Sequence, residues 1–141
     1  MTAVKICGFT REEDLIAACK SGISAAGFVL YEKSPRAVTI ERAAALCQLL
    51  PPFVCPVLLF VNASAEQVKQ AIELIPTALL QFHGDEDAAY CEQFHHPFFF
   101  TKSDEADELS YAHTNYFRSF LIVKIKAEFY EEILHGRRGC W

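Results

Sequence analysis

Val4-Lys5-Ile6-Cys7-Gly8-Phe9-Thr10, followed by Arg11-Glu12-Glu13-Asp14, is the stretch from which the fold is read. A short apolar run carries a thiol near its end. It is followed by a glycine, a threonine able to cap a helix, and acidic residues where a helix N-terminus favours them. This pattern predicts a strand that delivers Cys7 to the mouth of a βα turn, with a helix behind it. Lys5 and Cys7, two residues apart, fall on one face of that strand. In α/β folds the strand ends and the loops after them carry the chemistry.

Outward from this unit the pattern repeats. A helix over 13–20 places Leu15, Ile16 and Cys19 on one face, with Gly22 to stop it. An apolar strand over 26–31 leads into the loop Glu32-Lys33-Ser34-Pro35-Arg36, where proline removes a ladder donor. Thr39 is placed to cap a helix over 40–50, ended by Pro51-Pro52, and Ser64 to cap one over 65–75, ended by Pro76. A strand over 57–61, apolar on both faces, lies between these two helices. Next come a strand over 78–82, the segment His83-Gly84-Asp85 and a helix over 86–94, with Asp85 read as turn and cap. Beyond are a strand over 98–101, a helix over 104–116 capped by Ser103, a sixth strand over 119–125 and a short helix over 128–134. Strands alternating with helices of about ten residues predict βαβ units and a parallel sheet.

The chain has 141 residues, 52% of them hydrophobic, which suits one domain with a substantial core. A net charge of -5 and a pI near 5.5 argue against nucleic acid or an acidic membrane as partner. No apolar run reaches the roughly 20 residues of a transmembrane helix, and no signal-peptide pattern opens the chain. A cytoplasmic protein is expected. The six cysteines, Cys7, Cys19, Cys47, Cys55, Cys91 and Cys140, are scattered, with no C-x-x-C pair and no zinc-type histidine spacing. They read as reduced thiols, mostly small buried hydrophobes. His95-His96 are adjacent and point apart, so they read as a surface loop rather than a metal pair.

Four stretches, each ending a successive predicted strand, resemble phosphoribosylanthranilate isomerase, a tryptophan-pathway enzyme on a (β/α)8 barrel. They are Lys5-Ile6-Cys7-Gly8; Gly27-Phe28-Val29-Leu30-Tyr31 with Ser34-Pro35-Arg36; Phe60-Val61-Asn62; and Leu80-Gln81-Phe82-His83-Gly84-Asp85-Glu86. The resemblance is dense from Val4 to Glu92. It implies a partial TIM barrel of five to six βα units in sequential parallel order. It also implies an Amadori rearrangement of N-(5-phosphoribosyl)anthranilate to an aminoketose, with neither metal nor organic cofactor. By resemblance Cys7 is the general base, a role that neighbouring cations favour in thiols. Lys5 and Arg36 are the candidate cations. Arg36 matches the family's substrate-contacting arginine, whose planar fork suits a carboxylate. His83 matches the histidine after the fourth strand, and Gln81, on the same strand face, lines the pocket. The partner implied is the small-molecule substrate.

Beyond about residue 118 the resemblance ends abruptly. Residues 1–118 read as a partial barrel domain and 119–141 as a divergent tail, as after a truncation or frameshift. The family's general-acid aspartate, at the end of its sixth strand, has no counterpart in Leu121-Ile122-Val123-Lys124-Ile125, and Glu128 is the nearest carboxylate. The last two strands, which hold the substrate phosphate in many such barrels, have no counterpart either. Two readings stay open: an isomerase, or a non-catalytic binding module that keeps Cys7, Arg36 and His83. A doubly wound sheet is the alternative fold, and strand order separates the two. An open barrel also predicts unpaired edges at strand one and at the last strand, and with them self-association or a homodimer.

Overall fold

The computed structural model describes residues 3–101 in full, and residues 111–112 and 120–124 as backbone. Strand β1 is Ala3–Cys7 and helix α1 is Glu12–Lys20. They are followed by β2 at Ala25–Val29, α2 at Ile40–Cys47, β3 at Cys55–Phe60, α3 at Ala65–Leu74, β4 at Leu79–Phe82, α4 at Ala88–Glu92 and β5 at Phe98–Thr101. Strands β1 to β5 lie side by side in chain order and all parallel, forming a curled half-barrel with its helices. Their order lacks the reversal that a doubly wound sheet needs.

Two short strands complete the sheet. β6, Tyr111–Ala112, runs antiparallel to β5, so these two residues are strand where a helix over 104–116 was expected; the rest of that span lies outside the described residues. β7, Phe120–Lys124, is the strand expected over 119–125. It joins the far side of β1 instead of following β5, in a parallel register running from Ala3↔Phe120 to Cys7↔Lys124. β1 is therefore not an open edge, contrary to the expectation for a partial barrel, because β7 takes up its second row of backbone groups. The expected helix over 128–134 and Glu128 lie outside the described residues.

Residues alternate between the two faces of each strand. Ile6, Ala26, Phe28, Leu58, Phe60, Leu80 and Phe82 meet Leu15, Leu46, Val68 and Cys91 of the helices in one buried cluster. Phe82 is its aromatic centre, with the rings of Phe60, Tyr90, Phe94, Phe98 and Phe100 at centroid distances of 5.9–6.4 Å. On the concave face Cys7, Val29 and Leu59 form one layer, and Ala25, Val57 and Leu79 another. None of these six is more than 9% exposed, so both layers are buried.

The caps follow side-chain chemistry. Thr39 Oγ1 accepts from the Arg42 N–H at 3.1 Å, and Ser64 Oγ from the Gln67 N–H at 3.2 Å, as expected. Thr10 does not cap α1; Arg11 holds the cap position without a side-chain bond. Asp87, not Asp85, caps α4, accepting from the Tyr90 N–H at 2.7 Å. On α1, Leu15 and Ala18 face the core whereas Ile16 is 41% exposed, because the helix turns Ile16 to the flank. His96 Nε2 lies 2.6 Å from the Ala78 carbonyl oxygen while His95 is exposed, so the pair does point apart. The five cysteines among the described residues are free thiols. Among the described residues no helix is long and apolar enough to cross a membrane.

Candidate active site at the strand ends

Every sequence-predicted site residue reaches one cavity at the C-terminal ends of the strands. Lys5, Cys7, Arg36, Gln81 and His83 line a space of about 310 Å³, completed by Val29, Tyr31, Ser34, Leu59 and Val61. Its size is that of a small-molecule site.

Two glycines make the arrangement of Cys7 and Arg36 feasible. Gly8 has φ +99°, a conformation glycine adopts without strain. A Cβ there would also lie 2.7 Å from both Cδ and Nη1 of Arg36. Arg36 therefore crosses directly over Gly8, and its Nη1 donates to the Cys7 carbonyl oxygen at 2.9 Å. Gly27, opposite Cys7 in the sheet, provides the second clearance, since a Cβ there would lie 2.6 Å from Cys7 Sγ. The loop after β2 returns to its own strand, Val38 N–H donating to the Val29 carbonyl at 3.0 Å, and this brings Arg36 back over β1. Arg36 has no carboxylate partner among the described residues.

Across the cavity, β4 and β5 present a polar trio. Thr101 Oγ1 accepts from Gln81 Nε2 at 2.7 Å and lies 2.6 Å from His83 Nδ1. Sequence reading missed Thr101. It ends β5 one strand over from the Gln81-x-His83 face, so strand adjacency was the available signal. Behind His83, the Glu86 carboxylate accepts from the N–H groups of Asn62 and Gly84 at 2.6 and 2.8 Å, tying the loops after β3 and β4 together. Asp85 belongs to the same junction, its N–H donating to Asn62 Oδ1 at 2.8 Å. Asn62 meets these groups with φ at +49°, a left-handed conformation in which asparagine is enriched.

Lys5 is 2% exposed, and burial holds its ammonium below the ordinary value of 10.5. The nearby Cys7 thiol pulls the other way, without a hydrogen bond of good geometry to Nζ, and the Arg36 charge adds to the lowering. The cavity thus combines a nucleophilic thiol, two cations, a histidine and an amide. That set can hold an anionic, hydroxylated ligand and move a proton at a carbon beside the sulfur.

The family model described as N-(5'phosphoribosyl)anthranilate (PRA) isomerase matches residues 4–123. Among curated relatives, N-(5'-phosphoribosyl)anthranilate isomerase of Methylibium petroleiphilum is 55% identical over 97 residues, which is 69% of this chain and 46% of the relative. That of Dechloromonas aromatica is 57% identical over 97 residues, 69% of this chain and 47% of the relative. The chain spans about half the length of the curated relatives it matches. The crystal structure of phosphoribosyl anthranilate isomerase from Thermotoga maritima aligns with a TM-score of 0.66 at 36% identity, covering 72% of this chain and 50% of that one. A second aligned structure, also at a TM-score of 0.66 and 36% identity, is that of the isomerase in complex with reduced 1-(O-carboxyphenylamino)-1-deoxyribulose 5-phosphate; 72% of this chain and 53% of that one are covered. With the strand-end residues converging on one cavity and the family model running from β1 into β7, this chain belongs to the N-(5'-phosphoribosyl)anthranilate isomerase family.

Proposed function

We propose that this chain acts on N-(5'-phosphoribosyl)anthranilate as an aldose–ketose isomerase, with Cys7 as general base. The observation that carries the reading is the convergence of Lys5, Cys7, Arg36, Gln81 and His83 on one cavity. In the reaction, a proton supplied by solvent to the ribose ring oxygen lets the C1–O bond break and opens the aminoaldose to a Schiff base. The Cys7 sulfur takes the proton from C2, and the resulting enamine tautomerises to the ketone, so no atom is gained or lost. Arg36 directs its remaining N–H groups at the anthranilate carboxylate, a charge-assisted pairing that planar guanidinium favours. His83 and Gln81, held by Thr101, form the opposite wall. No organic cofactor or metal enters this scheme. The test is loss of substrate fluorescence on adding purified protein to freshly generated substrate. Turnover by the wild-type chain and its loss in Cys7→Ser is the expected result; folded protein without turnover overturns the catalytic reading.

A second reading is favoured by one observation: among the described residues, no carboxylate lines the cavity. On that reading the chain binds the anthranilate end without converting it. Anthranilate would then bind, with loss of binding in Arg36→Met, while turnover is absent. Self-association through the sheet edges at β6 and β7 is the partner reading that accompanies either function, tested by sedimentation over a concentration series.

A further inference from the structure

Among the described residues, two side-chain polar atoms at the cavity are buried without a hydrogen-bond partner. Among the described residues, neither Lys5 Nζ nor Gln81 Oε1 has a partner in hydrogen-bond geometry, and their residues are 2% and 3% exposed. Buried polar groups are almost always paired, so an orphan pair in one cavity calls for an explanation. The Cys7 thiol does not supply it, because an ammonium has three donors and a thiol can occupy at most one. Thr101 does not supply it either, because it engages Gln81 through Nε2 and leaves the amide oxygen unpaired.

The orphans differ in kind. Lys5 Nζ needs an acceptor, whereas Gln81 Oε1 needs a donor. A carboxylate or phosphate could satisfy the lysine but not the amide oxygen. A hydroxyl both donates and accepts, so a hydroxylated chain satisfies both. Arg36, half-buried at the rim, is the group left for the carboxylate.

Resting on the isomerase-site reading, we propose that Lys5 and Gln81 form a hydroxyl-binding subsite on the cavity floor, which takes the polyol carbons of the ligand while Arg36 takes its carboxylate. The subsite orients the ligand with its aromatic acid at the mouth and its sugar-derived chain beneath, beside Cys7 Sγ. Lys5 is then a buried cation kept for a ligand, and it lowers the stability of the empty protein.

The test measures binding of two probes, anthranilate and reduced 1-(O-carboxyphenylamino)-1-deoxyribulose 5-phosphate, to wild type, Lys5→Met and Gln81→Met, together with thermal midpoints. Lys5→Met is expected to weaken the reduced analogue about tenfold or more, and Gln81→Met about fivefold, with anthranilate changed less than about twofold. Lys5→Met is also expected to raise the melting midpoint of the free protein, since it replaces an unpaired ammonium by an apolar chain of similar volume. Equal loss of both probes, no loss of the analogue, or a lowered midpoint for Lys5→Met would each overturn the subsite. A wild-type chain that binds neither probe would overturn the site reading itself, and the subsite with it.

Discussion

Replacing Gly27 by alanine probes how β2 makes room for the thiol of β1. A Cβ at Gly27 would fall 2.6 Å from Cys7 Sγ, 3.0 Å from Cys7 Cα and 3.1 Å from Cys7 Cβ. Rotating Sγ away removes only the first of these contacts. The contact with Cα is relieved only if β1 and β2 move apart, across a register fixed at Lys5↔Ala25, Ile6↔Ala26 and Cys7↔Gly27. Overpacking in a close-packed interior costs about 1–3 kcal/mol, and the backbone contact places this case in the upper half, about 2–3 kcal/mol. In urea, with a slope of about 2 kcal/mol/M, the midpoint falls by about 1 M or slightly more at unchanged slope. Gly22→Ala is the control: its φ of +85° imposes backbone strain, but nothing lies within 4 Å of the added Cβ. That strain alone costs about 1 kcal/mol. Gly27→Ala is also expected to weaken ligand binding at Cys7, whereas Gly22→Ala leaves it unchanged. A Gly27→Ala protein as stable as the Gly22→Ala control would show instead that β1 and β2 accept the added Cβ without moving apart.

Arg36→Lys removes the planar fork and the bond from Nη1 to the Cys7 carbonyl, and is expected to weaken anthranilate by about tenfold in a fluorescence titration. Thr101→Val deletes the oxygen that meets both Gln81 Nε2 and His83 Nδ1 and leaves a buried amide donor unpaired; a loss of about 1–3 kcal/mol in urea unfolding is expected. Burial pushes the thiols of Cys47 and Cys91 from an ordinary 9.0 up to about 12, helped at Cys47 by Cys55 and at Cys91 by Glu86, Asp87 and Glu92. From pH 9 towards 12 the unfolded chain gives up these protons while the folded one keeps them, so stability contributed here is full below pH 9 and falls as pH rises through that window; Cys91→Ala should flatten the alkaline limb of a stability–pH curve. Lys5 has the opposite sign, because its folded value lies below 10.5 and the unfolded chain holds the proton longer. The stabilising effect of Lys5→Met is therefore largest at neutral pH and shrinks as pH rises towards 10.5.

Much of this arrangement was legible in the order of residues. Alternation of apolar runs with helices yielded the four βα units and the fifth strand, and β5 fell on the expected four residues because Phe98–Thr101 is bounded by Pro97 and Lys102. Thr39 and Ser64 declared their helices through a local side-chain bond, which needs no tertiary context. Cys7 and His83 were placed together through the family resemblance of the strand-end motifs, and Gln81 through its shared strand face with His83. Pairings between distant segments were not legible. β7 reaches β1 across more than a hundred residues of chain, and nothing local in Phe120–Lys124 distinguishes a partner at β1 from one at β5. Thr101 reads as a routine strand end until β5 is set beside β4. Asp85 read as the cap from sequence, but Asn62 draws it to the loop after β3 and Asp87 caps α4 instead.

Residues from β1, from the end of β4 and from the loop after β2 build one ligand cavity, and amide chemical shifts during a titration with anthranilate report on all three at once. Saturable shifts are expected at Cys7, Gly8, Gly27, Arg36 and His83, and they vanish in Arg36→Met. Shifts confined to residues away from the strand ends, or no saturable shift in a folded protein, would contradict a single strand-end cavity.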